Sequence, residues 1–427
     1  MKKILIISYY WPPAGGPGVQ RWLKFVKYLP DFGIEPIVYV PENPSYPLVD
    51  ENLLDEISDE LTILKQPIFE PYKLASIFSK KKTKTISSGL INVQQQSFVE
   101  KLLLYVRGNF FIPDARKYWV KPSVNYLSTY ISENHIDTII TTGPPHSLHL
   151  IGLQLQEKLK VHWLADFRDP WTTIGYHNKL KLTKKSQAKH KTLEKQVLQK
   201  ANQILVTSPT TKKEFEEITS RPIEVITNGY DDVNFSRNTS LDQKFTISHI
   251  GSLLTGRNPE VLWKALSELI KDDVAFSKAF QLQLIGAVSR DVLDSIQSFG
   301  LERHINLVGY VSHQEAQIAQ RQSQILLLIE IDSPETKCII PGKVYEYIQS
   351  GRPILAFGPE QADFKQIITQ TNTGKSFNYT DDITVLKEQI VNYFKAYQES
   401  KLTVHGLGIQ QYHRKELTRR LASLLKK

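Results

Sequence analysis

Cysteine is almost missing from this chain, because its 427 residues include only Cys338. One cysteine permits no intramolecular disulfide and no cysteine-rich metal centre, which excludes the disulfide-stabilised and zinc-module classes. The sequence also lacks any run of about 18 or more uncharged apolar residues, the length that a membrane-spanning helix needs. We therefore expect a protein that does not span a membrane, and the cysteine usage favours a reducing, cytoplasmic compartment.

Internal repeats and low-complexity tracts are also lacking, which argues against a solenoid. A chain of this length predicts two domains, or three, each able to bury a core. The apolar run from Lys3 to Ser8 imitates a signal peptide, but residues 9–13 follow it without a small-residue cleavage site. We therefore predict a buried strand there.

Strand-like and helix-like patterns alternate along the chain. The strand-like runs are short, aliphatic or β-branched, and lie at residues 3–8, 34–40, 138–142, 162–165, 203–207, 223–227, 245–250, 281–285, 305–308, 325–329 and 353–357. Between the first two runs, Val19, Trp22, Leu23, Val26 and Leu29 have the spacing of one helix face. This alternation predicts parallel sheets covered by helices on both sides.

The domain boundary is expected where polar residues without periodicity follow the sixth strand-like run, near residues 232–243. We predict a Rossmann-like, doubly wound domain over residues 1–235 and a second one over residues 236–400. An amphipathic C-terminal helix over residues 401–427 is expected to pack across both domains. In the second domain, Ser312 and Glu315 have the spacing of a capping box that opens a helix.

Glycine-rich turns follow the first strand of each predicted domain. Residues 12–18 contain glycines that let a ligand approach the backbone, and the helix start behind them favours an anion such as a diphosphate. The glycine fingerprint of dinucleotide-binding enzymes is absent. After the second turn, Arg257 precedes a predicted N-cap, Asn258, with Pro259 at the first helical position. Arg257 suits a phosphate, although an exposed loop arginine explains it equally well.

Lys343 and Glu346 open a short predicted helix that ends at Gly351 and leads into a buried strand. Their spacing places both side chains on one helix face. At the carboxyl edge of a Rossmann-like sheet this pair suits a nucleotide, with the ammonium on the diphosphate and the carboxylate on the ribose hydroxyls. The alternative is a surface ion pair.

Taken in order, these segments resemble the retaining glycosyltransferases of the GT-B fold, in particular the bacterial members of sequence family 4. The resemblance covers nearly the whole chain and lies in residues 15–16, 206–208, 226–231, 250–252, 306–311, 343–347 and 350–353. It implies two Rossmann-like domains that face a central cleft. It also implies a hexosyltransferase that moves a sugar from a nucleotide diphosphate sugar to a saccharide or polyprenyl-linked saccharide in cell-surface polysaccharide synthesis.

The resemblance further implies roles for individual residues at the donor. Gly16 would lie beside the donor diphosphate, Arg257 and Lys343 would neutralise it and act in catalysis, and Glu346 would hold the ribose. The donor-binding residues expected on this basis are Gly16, Gly251, Arg257, Gly309, Tyr310, Val311, Glu335, Lys343 and Glu346. Substitution would occur on the front face of the sugar with retention, and the leaving diphosphate would help to take the acceptor proton.

One position departs from the family pattern. The family commonly has two glutamates separated by seven residues, and counting back from Glu346 places Cys338 at the first position. Glu335 is the candidate substitute at the donor sugar. We expect no metal ion and no cofactor apart from the nucleotide sugar, because the cations and helix starts supply positive potential and no carboxylate pair has a metal-binding spacing.

Two loops in the first domain are the acceptor-side candidates, because each follows a strand and is expected to face the cleft. Residues 142–147 supply His146, and residues 166–171 supply Asp166, Arg168 and Asp169. His146 and Asp169 are also candidate catalytic residues. The alternative is structural, with both aspartates only pairing with Arg168.

Basic residues cluster locally, within a net charge of +9. One cluster consists of Lys80, Lys81, Lys82 and Lys84, and the other of Lys179, Lys181, Lys184, Lys185, Lys189 and Lys191, without an acid between Asp169 and Glu194. Together with the apolar stretch 98–107, these two clusters predict peripheral attachment of the protein to an anionic membrane surface. The alternative is that the lysines form an ordinary solvated face. Two other functions stay open. One is a nucleotide-sugar epimerase or hydrolase; the other is a non-catalytic protein whose basic clusters bind membrane or nucleic acid, which Cys338 favours and the retained Lys343 and Glu346 disfavour. We do not expect nucleic acid as a partner.

Overall fold

A computed structural model of the protein describes residues 1–70, 98–178, 180–232 and 240–426. The chain divides into two compact units, one formed by residues 1–228 with 414–427 and the other by residues 229–413. The boundary predicted between residues 235 and 236 falls outside the described residues. In the part of the chain that is described, no helix is both long enough and apolar enough to cross a membrane.

The first unit contains a parallel sheet with the strand order β3-β2-β1-β4-β5-β6-β7. Its strands are β1 (Lys2–Ile7), β2 (Ile34–Pro41), β3 (Thr62–Gln66), β4 (Thr138–Gly143), β5 (His162–Phe167), β6 (Gln203–Val206) and β7 (Ile223–Val225). The order reverses between β1 and β4, so the carboxyl ends of these strands flank the place where ligands bind in open sheets of this kind.

Helices flank this sheet. They are α1 (Pro17–Tyr28), α2 (Phe98–Phe110), α3 (Lys117–Glu133), α4 (Ser147–Leu159), α5 (Gly175–Asn178), α6 (Lys184–Lys200) and α7 (Pro209–Glu216). The predicted apolar face of α1 is buried, with Trp22 and Leu23 among aliphatic residues of β1 and β2. Pro17 occupies the first turn, where its missing N–H costs no helical hydrogen bond.

The second unit repeats the architecture with the strand order β10-β9-β8-β11-β12-β13, again all parallel. Its strands are β8 (Phe245–Ile250), β9 (Phe280–Ile285), β10 (Ile305–Gly309), β11 (Ile325–Ile329), β12 (Ile354–Phe357) and β13 (Gly374–Phe377). The reversal between β8 and β11 gives this sheet its own ligand-binding edge.

The helices of the second unit are α8 (Glu260–Asp272), α9 (Val274–Ala279), α10 (Arg290–Ser298), α11 (His313–Gln322), α12 (Lys343–Gln349), α13 (Asp363–Gln370) and α14 (Ile383–Gln398). The predicted capping box is confirmed, because Ser312 and Glu315 each bond the other's backbone N–H. The predicted cap of α8 was wrong: Pro259 is the N-cap, and Asn258 instead accepts a hydrogen bond from Trp263 Nε1 at 2.7 Å.

Two observed strands were not predicted. Both lie at sheet edges, β3 in the first unit and β13 in the second. Their sequences, TILKQ and GKSF, contain lysine and few apolar residues, and of the nine residues only Phe377 is buried. An edge strand has a neighbour on one side only, so the apolar signal used for prediction is weak there.

The C-terminal segment differs from the predicted single helix over residues 401–427. Residues 401–413 belong to the second unit, and helix α15 (Arg414–Leu425) belongs to the first. Leu417, Leu421 and Leu425 of α15 are buried in the same core as Trp22 of α1. The apolar face of α15 is therefore explained by packing within the first unit.

Candidate functional site

Three adjacent strands of the second sheet end in glycines with positive φ: Gly251 after β8, Gly286 after β9 and Gly309 as the last residue of β10. Hydrogen bonds connect the turns, from Gly251 N–H to Ile285 O at 2.7 Å and from Gly286 N–H to Gly309 O at 2.6 Å. A Cβ on Gly286 would lie 2.6 Å from Gly251 O. Glycine is required here because the backbones approach closely in a conformation that other residues rarely adopt.

Lys343 lies directly over the first of these turns. Its Nζ donates a hydrogen bond to Ile250 O at 2.7 Å, and a Cβ on Gly251 would lie 2.7 Å from the same nitrogen. One helical turn later, Tyr347 accepts a hydrogen bond from Ile250 N–H at 3.3 Å through its hydroxyl oxygen. Helix α12 is thus fixed to the carboxyl end of β8 through both backbone groups of one residue.

The ammonium of Lys343 is destabilised by its surroundings. Burial and, to a smaller extent, the charge of Arg257 lower its pKa from 10.5 to about 8, although Glu330 and Glu346 oppose the change. Two cations beside a partly buried edge create a positive potential that a bound anion would relieve. The site is therefore electrostatically suited to a phosphate-containing ligand.

Arg257 is held by a carboxylate that sequence analysis did not identify. Its Nη2 donates to Glu330 Oε1 at 2.9 Å, with about a quarter of the arginine side chain exposed and the glutamate almost fully buried. Glu330 directly follows β11, and its Oε1 also accepts from Ile331 N–H at 2.8 Å. The pair lies at the reversal point between β8 and β11, and it fixes the guanidinium while leaving part of it accessible.

Glu346 is positioned by helix α11. Its Oε2 accepts a hydrogen bond from Gln320 Nε2 at 2.7 Å, and Gln320 is buried. Glu346 also contributes to the electrostatic surroundings of Lys343, as the predicted shared helix face requires. The carboxylate is thus oriented on the same edge as the two cations.

The remaining predicted donor residues lie on loops. Tyr310, after β10, is 94% exposed, and Val311 is half-buried. Glu335 is exposed on the 3-10 turn Pro334–Thr336, and Cys338 follows it with its Sγ 4.0 Å from Glu335 O.

In the first unit, the glycine turn after β1 is closely associated with Arg168. Gly16 is the N-cap of α1, with φ of 108°, and its neighbour Gly18 packs so closely on the guanidinium that a Cβ would clash with it. Arg168 donates to the carbonyl oxygens of Gly143 and Pro144 at the end of β4. The structure thus brings together the predicted glycine turn and one of the predicted acceptor-side residues.

Asp166 is fully buried and has a different partner from the one considered in the sequence. Its Oδ1 accepts from Arg21 at 2.9 Å, and its Oδ2 accepts from Trp22 Nε1 at 2.7 Å and Thr142 Oγ1 at 2.8 Å. Burial opposes ionisation, but Arg21 and these hydrogen bonds together hold the pKa of Asp166 below its usual value. Both oxygens are occupied, so Asp166 fixes α1 to β4 and β5.

His146 is also buried, with its ring stacked on Trp171 at 4.9 Å between centroids. Neither ring nitrogen has a hydrogen-bond partner among the described residues. Burial, reinforced by His149 and Arg168, lowers its pKa well below the usual value, so the ring is neutral. Asp169 is half-buried, and burial raises its pKa.

Three residues of the second-unit edge were not predicted: Gly286, Gln320 and Glu330. Two had a usable signal, since Gly286 ends a strand-like run and Glu330 is an acid directly after five aliphatic residues. Gln320 had none, because its position depends on how α11 packs beside α12. Within the described ranges, no group of three or more His, Cys, Asp or Glu side chains could hold a metal ion.

No protein-family profile and no curated protein sequence matches this chain. Solved structures do match, over 96% to 100% of their length. Sucrose-phosphate synthase from Thermosynechococcus elongatus superposes with a TM-score of 0.60 at 14% identity, covering 100% of this chain and 98% of the synthase. The lipopolysaccharide outer core galactosyltransferase WaaB superposes with a TM-score of 0.59 at 13% identity, covering 100% of both chains.

A Listeria monocytogenes protein described as a UDP-N-acetylglucosamine 2-epimerase superposes with a TM-score of 0.56 at 12% identity, covering 100% of this chain and 96% of that one. At such identities the likeness concerns the fold and not the reaction. The two parallel sheets, each with a reversal in its strand order and flanking helices, are those of the GT-B glycosyltransferase fold. The chain therefore has the two-domain α/β GT-B fold.

Proposed function

We propose that the protein is a glycosyltransferase that moves a sugar from a nucleoside diphosphate sugar to a hydroxyl group. The observation that carries this proposal is the placement of Lys343, Arg257 and Glu346 on one edge of the second sheet, with their side chains held by Ile250, Glu330 and Gln320. A diphosphate needs cations and a ribose needs hydrogen-bond acceptors, and this edge offers both.

Each donor residue has a distinct task in the proposed reaction. Lys343 and Arg257 bind the diphosphate, and Glu346 accepts hydrogen bonds from the ribose hydroxyls. Tyr310, with its exposed ring, flanks the base. As the bond to the sugar breaks, negative charge grows on the departing diphosphate, and the prearranged cations stabilise it more than they stabilise the intact donor.

The finer mechanism is retention by front-face substitution without a metal ion. In this scheme the sugar–oxygen bond to the diphosphate breaks, the acceptor oxygen bonds to the same face, and the acceptor proton passes to the departing diphosphate. Comparison of the anomeric configuration of donor and product by NMR tests this scheme directly. An inverted product would contradict it.

On the acceptor side we assign Arg168 and Asp169, which are only partly buried, to the binding of the acceptor. The predicted contact of Gly16 with the donor diphosphate remains a prediction, as does the part of Glu335 at the donor sugar. His146 and Asp166 support this region from within the core. We propose a saccharide acceptor, free or polyprenyl-linked, from cell-surface polysaccharide synthesis, in line with the lipopolysaccharide enzyme that shares the fold.

A nucleotide-sugar epimerase is the second candidate, because a protein described as such an epimerase shares the fold over the whole chain. The two functions differ in their need for an acceptor. A transferase consumes donor at a rate set by the acceptor, whereas an epimerase changes the sugar without one.

The test is a panel of UDP-, GDP- and dTDP-sugars, each measured by thermal shift and by turnover with and without saccharide acceptors. A ligand that binds only the folded state stabilises it by RT ln(1 + [L]/Kd), so one nucleotide should raise the melting temperature. Acceptor-dependent release of the nucleoside diphosphate supports the proposal. Stabilisation by no nucleotide sugar would refute it, and acceptor-independent isomerisation would select the epimerase.

A further inference from the structure

Helix α2 of the first unit exposes an apolar stripe. Leu102 and Tyr105 lie three positions apart on one side of the helix, Phe110 is its last residue, and the three side chains are 52%, 40% and 64% exposed. Leu104 of the same helix is buried. The helix therefore has a buried position as well as this exposed apolar stripe.

Aromatic rings and a lysine extend this stripe beyond the end of α2. Tyr118 lies 5.8 Å from Phe69 and 6.4 Å from Phe111 between ring centroids. The Lys117 ammonium lies 5.1 Å from the Tyr118 ring centroid and donates to Phe110 O at 2.6 Å. Phe69 and Tyr118 are about half exposed, so the rings form a surface cluster rather than a core.

The lysine-rich start of α6 is fixed against the same end of α2. The side chain of Asn109 in α2 makes two hydrogen bonds to the segment just before α6: it accepts from Thr183 N–H at 2.8 Å and donates to Lys181 O at 3.3 Å. A Cβ on Gly108 would lie 2.6 Å from Leu182 Cδ2 and 2.7 Å from Leu180 O, so the two segments pack closely. These contacts carry the exposed Lys184, Lys185 and Lys189 to the apolar stripe.

Positive charge accumulates where these elements meet. Burial lowers the pKa of Lys117, and the charge of Lys189 lowers it further, so the two ammonium groups are close enough to repel each other. The lysines of α6 have no acid among their neighbours in the sequence, because none lies between Asp169 and Glu194. The predicted lysines at positions 80–82, 84 and 179 lie outside the described residues and are not needed for this observation.

We propose that the exposed Leu102, Phe110 and Tyr118 together with Lys184, Lys185 and Lys189, here called the aromatic–lysine surface, dock the protein on an anionic lipid bilayer. Lysines at the surface attract acidic headgroups, while exposed aromatic and leucine side chains enter the boundary between headgroups and acyl chains. A nucleic acid would also attract lysines, but Leu102 has no base-stacking face and favours lipid. The proposal does not depend on the transfer reaction, because docking needs no nucleotide sugar.

The experiment is flotation of the full chain with vesicles of phosphatidylcholine alone or with increasing phosphatidylglycerol, at low and high salt. The parent protein should float only with anionic vesicles and be released by salt. In the charge variant, Lys184, Lys185 and Lys189 are all changed to Gln; its matched control carries the same change at the exposed Lys195, Lys200 and Lys213. Since each lysine contributes about 1 kcal/mol, or about fivefold, the charge variant should lose about a hundredfold in partitioning, and the control should lose little.

The apolar part is tested by Leu102→Ser against Leu407→Ser, because both leucines are more than half exposed. Leu102→Ser should weaken vesicle binding severalfold, and Leu407→Ser should leave it unchanged. The proposal is overturned if the parent fails to float with strongly anionic vesicles at low salt, or if the charge variant and its control lose binding equally. Salt-sensitive binding of a single-stranded oligonucleotide without vesicle binding would also overturn it and identify a nucleic-acid surface.

Discussion

Donor binding should depend on pH through Lys343. Its pKa is about 8 in the ligand-free protein, and a bound diphosphate should raise it, because an anion stabilises the ammonium. Affinity should therefore be complete below about pH 8 and fall as the pH rises above it. With this pKa, about nine tenths of Lys343 is charged at pH 7 and about one tenth at pH 9, so the Kd should increase about tenfold between them.

The assay is isothermal titration calorimetry with a nucleoside diphosphate sugar, whose esterified phosphates do not titrate in this range. Repeating the titration in buffers of different ionisation enthalpy should show uptake of about half a proton near pH 8. Lys343→Met should bind weakly and without pH dependence. Lys365→Arg is the matched control, because burial also lowers the pKa of Lys365 to about 8, yet its ammonium bonds to Gly358 and Asn378 instead.

Lys343→Met, which should weaken donor binding, should stabilise the ligand-free protein. Because the pKa of Lys343 is lower in the folded chain, its charge opposes folding below about pH 8, and this cost disappears as the pH rises from 8 towards 10.5. A difference of about 2.5 between the pKa values in the unfolded and folded chains corresponds to about 3 kcal/mol at neutral pH. Methionine cannot make the hydrogen bond to Ile250 O, and this loss offsets about 1 kcal/mol of the gain. Ligand-free Lys343→Met should thus gain about 2 kcal/mol. A Kd that stays constant from pH 7 to 9, or a less stable variant, would refute the reasoning.

Three further outcomes follow from the same contacts. Glu346→Gln should weaken donor binding about tenfold to a hundredfold, since a charged hydrogen bond contributes about 1.5–3 kcal/mol. The control Glu315→Gln, which keeps the capping box of α11, should bind the donor normally. Equal donor affinities of Glu346→Gln and the parent protein in calorimetry would remove Glu346 from the site. Arg257→Ala should lower kcat/KM about a hundredfold but hardly change the Kd of the nucleoside alone, because its charge acts on the departing diphosphate; undiminished transfer would make it a surface residue. Asp166→Asn should destabilise the fold by about 3–5 kcal/mol in urea unfolding, because it leaves Arg21 buried without its counter-ion; a change below about 1 kcal/mol would contradict the ion pair.

Much of the fold follows from local patterns in the sequence. Central strands such as β8 and β11 are continuous aliphatic runs, because both faces of a parallel sheet are covered, and their bounds were predicted to the residue. The edge strands β3 and β13 were missed because their half-exposed sequences lack that signal. The order of the strands and the division of the C-terminal segment depend on packing between distant elements, which no local window contains.

The candidate site shows the same division between local and distant information. Spacing alone placed Lys343 and Glu346 on one helix face, and the structure adds what each side chain bonds to. The partners Glu330 and Gln320 lie on separate elements, so only the folded chain brings them near. For Asp166, sequence proximity suggested Arg168 as the partner, whereas the fold supplies Arg21 from 145 positions away.

The packing of α15 against α1 has a consequence for the order in which the protein is made. The first unit is discontinuous, because residues 229–413 are synthesised between its main part and its last helix. On the ribosome, the groove beside Trp22 therefore remains uncovered until Leu417, Leu421 and Leu425 emerge, after all of residues 229–413. The first unit thus cannot be completed before the second unit has been translated, and its apolar groove is exposed to aggregation during that interval.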